Sequence, residues 1–215
     1  DSIKQQQAET QAKAQAGFDT STPLLPEGEY MAYLHSLKGY KKDELINWGI
    51  CKPESKRAGK PWASYAAIWQ LDSKKAAEIL KREDTTVYSG SQYLELTDDA
   101  GIDLFNSLPL ADLLVKVLHG VEDGASKNEA GLYTFGSLVT DVMYKGLDET
   151  FEVAEGKDAP PITVQIAAKQ LRNFSEALAS WQCKANVHII QVSSGNSDDK
   201  RNQVKTVQVW EQLDD

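Results

Sequence analysis

The sequence predicts an α+β fold, mainly β, and three observations carry that prediction. Three extended runs come first, helical runs follow, and two further extended runs close the chain. Gly, Pro, Asn and Asp residues break the chain between these runs, as turn chemistry requires. Of the 215 residues, 41% are apolar, enough to bury a core in one large domain.

The N-terminal segment 1–22 is a polar arm. Residues 2–16 are rich in Ala, Gln, Lys and Glu, which favour helix, yet they carry no apolar stripe to bury. Such a helix is marginal alone and suits docking on another subunit. The rest, 23–215, reads as a single domain. Glu29–Leu37 is a first strand, with Tyr30, Ala32 and Leu34 on one face. Ala63–Leu71 is a second, apolar on both faces and therefore central. Asp72 caps a short helix over 73–82. Thr86–Leu96 is a third strand, bent at Gly90.

Ser107 then has the character of an N-cap, with Pro109 in the first turn of the helix it opens. Leu110, Leu113, Leu114, Val117 and Leu118 form its stripe, and Gly120 ends it. Gly120–Ala130 reads as a polar loop, Leu132–Met143 as a strand pair or one bent strand, and Lys145–Asp158 as an acidic exposed segment. From Val164 to Trp181 the pattern is helical, with Ala167, Leu171, Phe174, Leu178 and Trp181 on one stripe. Cys183–Val192 and Gln203–Gln212 are the closing strands, paired as a hairpin across Ser193–Asn202.

The stretch with most chemistry runs from Lys38 to Leu71. It holds seven basic residues against three acidic ones, in a chain of formal net charge -9, and three of the five tryptophans. A basic loop flowing into an aromatic strand is what a single-strand groove needs: cations follow phosphates and flat rings stack on unpaired bases. A solvated loop beside a strand of core tryptophans has the same composition. Net acidity argues against a polycation that coats DNA, but a local basic groove sets its own field.

Other chemistries are poorly supported. Glu54–Pro61 comes near a phosphate-binding loop but has Glu54 for the first glycine and Pro61 for the Ser/Thr. There is no G-x-G-x-x-G after a strand and no G-x-S-x-G elbow. His35, His119 and His188 have no partner at metal-ligand spacing. Adjacent carboxylates such as Asp98/Asp99 point to opposite faces of an extended chain. The expectation is a non-enzymatic protein with no metal and no cofactor. Cys51 and Cys183 lie far apart, the usage of a reducing compartment, with one long-range disulfide as the other option. No apolar run is long enough for a membrane helix and no signal pattern opens the chain.

Three strands, a helix and two closing strands make the skeleton of an OB-fold, a small Greek-key barrel whose ligand groove lies between two loops. Here those loops are 38–61 and 193–202, the second carrying Lys200 and Arg201. The stretch from about 120 to 181 is an insertion with extra helices. Leu25–Tyr30, Gly59-Lys60, Leu94–Thr97 followed by Gly101, and the Asn202–Val209 strand carry a likeness. In these residues the chain resembles phage-encoded single-stranded-DNA-binding and recombination-associated proteins of OB type.

The resemblance implies sequence-tolerant single-stranded DNA binding in phage replication or recombination, in the host cytoplasm. The expected contacts are Lys38, Tyr40, Lys41, Lys42, Trp48, Lys52, Lys56, Arg57, Lys60, Trp62, Lys200 and Arg201, with Trp48 and Trp62 as the stacking rings. Trp69 and Tyr65 are expected in the core. A homo-oligomer formed through the arm or the insertion is a further expectation. The competing expectation is a structural protein of a virion, held by protein–protein contacts.

Overall fold

The computed structural model describes residues 23–38, 46–96, 108–148, 151, 153, 155–156, 159–193 and 199–212. The N-terminal arm, Tyr40, Lys41, Lys42, the Ser107 cap and the Thr97–Gly101 turn lie outside the described residues.

Strand β1 (Gly28–Lys38) pairs antiparallel with β3 (Pro61–Leu71), which pairs antiparallel with β4 (Thr86–Ser89). β4 runs parallel to β9 (Lys200–Val209) through Tyr88↔Gln203 and Ser89↔Val204. β9 returns antiparallel to β8 (Lys184–Ser193), and β8 pairs antiparallel with β1. The ring β1-β3-β4-β9-β8 is closed, the strand order of an OB-like Greek-key barrel. Closure leaves these five strands no common open edge.

Alternation along β3 fills the barrel. Ala63, Tyr65, Ala67, Trp69 and Leu71 join Ala32, Leu34, Val87, Ala185, Val187, Ile189 and Val204 in the core. Trp69 and Tyr65 are fully buried, as the apolar run around them requires. Burial pushes the Tyr65 phenol well above its ordinary range. Cys51 and Cys183 are free thiols, and burial pushes Cys183 up to about 12.

Four local expectations need correcting. The segment 38–61 is not all loop: β2 (Asn47–Ile50) pairs with the first half of β3 as a hairpin arm. The third strand breaks at Gly90 into β4 and β5 (Gln92–Glu95), and β5 pairs only with the first half of β3. Ser73, not Asp72, caps α1 (Lys74–Leu80), its hydroxyl accepting from Ala76 N at 3.2 Å. Asp72 is still tied to the barrel, donating its N–H to Met31 O at 2.9 Å.

The last correction concerns 120–143, where α2 (Leu108–Val117) leads into a short hairpin, β6 (Ala125–Lys127) and β7 (Tyr133–Phe135), and then α3 (Ser137–Tyr144). Val139, Thr140 and Val142 gave 132–143 a strand-like composition. Burial of Val139 and Met143, four apart, favours the helix instead.

α4 (Ile162–Trp181) buries Val164, Ala167, Leu171, Phe174 and Leu178 and leaves Arg172 and Glu176 outside. It also repairs β1. The register of β1 on β3 shifts between Leu34 and Ser36, and β8 pairs with β1 only as far as Tyr33. Beyond that point Ser175 Oγ accepts from Leu37 N at 3.0 Å and donates to Leu37 O at 2.9 Å. Ser175→Ala therefore strips two partners from strand backbone. It is expected to lower unfolding free energy by about 1–3 kcal/mol, read from a denaturant titration. A change near zero would mean that water replaces the hydroxyl.

Candidate nucleic-acid interface

Residues directly opposite in a β-ladder share a face. Trp62, Ser64, Ala66 and Ile68 therefore lie on the face of β3 turned away from the barrel interior. Lys38 stands opposite Ala66, Tyr88 opposite Ile68, and Tyr93 opposite Ser64. Aromatic and basic side chains thus gather at two ends of one face.

At the hairpin end, Trp62 lies over Gly49, where a Cβ would stand 2.7 Å from the indole ring. A side chain at position 49 would have to displace the tryptophan. Trp62 also packs at a 56° tilt on Tyr93, with ring centroids 5.7 Å apart. Tyr93 is 63% exposed, so the pair presents an open aromatic surface. Tyr93 was not foreseen; its signal was the alternation Tyr93-Leu94-Glu95-Leu96, which sends Leu94 and Leu96 inward. Trp48 sits on the other face, opposite Ala63, and packs against the core.

The hairpin closes through Cys51 N to Lys60 O at 2.9 Å and Gly59 N to Cys51 O at 3.1 Å. Gly59 has φ +76, a conformation that favours glycine. Lys52, Lys56 and Lys60 are exposed along this loop. Arg57 is half-buried, its guanidinium donating to the Leu96 carbonyl and tying the hairpin to the end of β5.

At the other end is a cleft of about 660 Å³. Lys38, Arg82, Lys200 and Arg201 all line it, and among the described residues no Asp or Glu does. Tyr88, 39% exposed, also lines it, with Lys38 Nζ 5.6 Å from the ring centroid. Asp84 stands outside the lining; hydrogen bonds from Thr86 hold its carboxyl below the ordinary range, helped by the charge of Arg82. The cleft forms because β4 and β9 start side by side in parallel register, which brings 86–89 against 200–203.

Lys38, Lys200 and Arg201 are therefore brought together, although 162 residues separate the first two in sequence. Lys52, Lys56, Lys60 and Trp62 belong to the hairpin end. Ser64 and Ala66, between the two ends, are buried. The ends are six residues apart along β3, about 20 Å at 3.3 Å per residue. Arg82 and Tyr88 were not foreseen, because nothing local in 82–88 marks them as facing residues 38 and 200.

Among the described residues there is no cluster of His, Cys, Asp and Glu placed to hold a metal ion, and no helix long and apolar enough to cross a membrane. Comparison with protein-family models, with curated proteins and with solved structures finds no match to this chain.

Proposed function

We propose that the protein binds single-stranded DNA, without a strict sequence requirement and without catalysing a reaction on it. The observation that carries this reading is the cleft: four basic side chains around an accessible tyrosine, with no carboxylate in the lining among the described residues, in a chain of net charge -9. A positive field concentrated there attracts phosphates despite the acidic total. The Trp62–Tyr93 surface at the far end of the same face supplies the stacking partner that unpaired bases need. Lys52, Lys56 and Lys60 extend the basic path along the hairpin. In this reading the protein works in phage DNA replication or recombination, in the host cytoplasm, as its resemblance to that class suggests.

The test separates the two tryptophans. Tyr93→Ala and Trp62→Ala should each weaken binding of labelled oligo-dT by about 1–3 kcal/mol with little change in salt dependence, since stacking releases few ions. Trp48→Ala should lower unfolding free energy and leave affinity nearly unchanged in protein that remains folded. If Trp48→Ala alone weakens binding, bases stack elsewhere. If wild-type protein does not bind at low salt, the reading fails, and assembly through protein contacts becomes the better account.

A further inference from the structure

Resting on that reading, we propose that the cleft receives the phosphomonoester end of a strand in preference to an internal phosphodiester. Its volume of about 660 Å³ falls within the range of small-ligand sites. One wall is Pro23–Leu24, and the neighbouring Leu25 anchors it. Leu25 is fully buried and donates its N–H to Asn202 Oδ1 at 2.8 Å. Its carbonyl accepts from Asn202 Nδ2 and Gln191 Nε2, both at 3.0 Å. Leu80 and Arg82, at the end of α1, help to form another wall.

Charge sets the preference. An internal phosphodiester carries one negative charge, whereas a terminal phosphate carries about 1.5 to 2 near neutral pH and offers three acceptor oxygens. Four basic residues facing one pocket exceed what a single diester neutralises. Arg201 adds the forked donor geometry that suits a multidentate phosphate, while Arg82, one of whose donors already bonds the Thr86 carbonyl at 3.3 Å, adds charge. Tyr88 offers its exposed ring to the terminal base.

The experiment compares oligo-dT of one length in three forms: 5′-phosphorylated, 3′-phosphorylated and unphosphorylated. One phosphorylated form should bind about tenfold tighter than the unphosphorylated one near neutral pH. Which form gains identifies the strand polarity. The advantage should shrink as pH falls through about 6, where the monoester takes up its second proton. Arg201→Ala should shrink it as well. Equal binding of all three forms would overturn the inference and leave the proposed function standing. An advantage unchanged well below that pH would overturn it too, since the second charge would then not be what is read. Failure of every form to bind would overturn the proposed function itself.

Discussion

Replacing Lys38, Lys200 and Arg201 together by alanine is expected to flatten the salt dependence of oligo-dT binding by about two units of slope. Each neutralised phosphate on a single strand contributes about -0.7 to the slope of log affinity on log salt, so three lost contacts remove about 2.1. Over a fourfold rise in salt, the variant should escape about a twentyfold part of the affinity loss that the wild type suffers. Lys38 is half-buried and Lys200 and Arg201 are exposed, so the fold should tolerate the change. A Lys56→Ala, Lys60→Ala pair tests the hairpin by the same measurement and should remove a smaller part of the slope. Arg57→Ala is a poor probe of phosphate contact, because its guanidinium already bonds the Leu96 carbonyl. An unchanged slope in the triple variant would mean that the cleft does not meet the backbone.

Trp69→Ala is expected to cost about 3–5 kcal/mol of unfolding free energy, the range for deleting a fully buried large aromatic. Trp69 lies where β3 is shared, opposite Leu34 in β1 and Val87 in β4, so the cavity would open at the junction of three strands. For a domain of this size the thermal midpoint should fall by roughly 10 °C. Trp69→Phe should cost much less. It keeps most of the ring volume, and the indole Nε1 it removes has no hydrogen-bond partner among the described residues. A small effect of the alanine variant would place Trp69 outside the structural core.

The barrel was largely legible in the sequence because its signals are local. Alternation marked β1, β8 and β9, and a run apolar on both faces marked β3 as central. The helical stripe of α4 was equally plain, each apolar side chain recurring on one face. The expected closing hairpin is present, β8 pairing with β9 from Ala185↔Val209 to Ser193↔Lys200.

Where the sequence misled, competing local preferences were decided by burial. Val139, Thr140 and Val142 favour strand by composition, yet Val139 and Met143 reach the core only from a helix. Trp48 resembles a loop aromatic until β2 is paired with β3, which turns it toward Ala63. The candidate site was legible only in part for a different reason. Lys38 and Lys200–Arg201 were identified as members of separate loops, but Arg82 and Tyr88 reach the same cleft through the parallel contact of β4 with β9. No spacing in the chain encodes that contact.

Single-strand binding is tested most directly by the affinity of wild-type protein for labelled oligo-dT, measured against a duplex of equal length across a salt series. The expected result is tight binding of the single strand at low salt, weakening steeply as salt rises, with the duplex bound less well because its bases cannot stack on Trp62 and Tyr93. No detectable affinity for oligo-dT at about 50 mM salt, or equal affinity for the duplex, would contradict it.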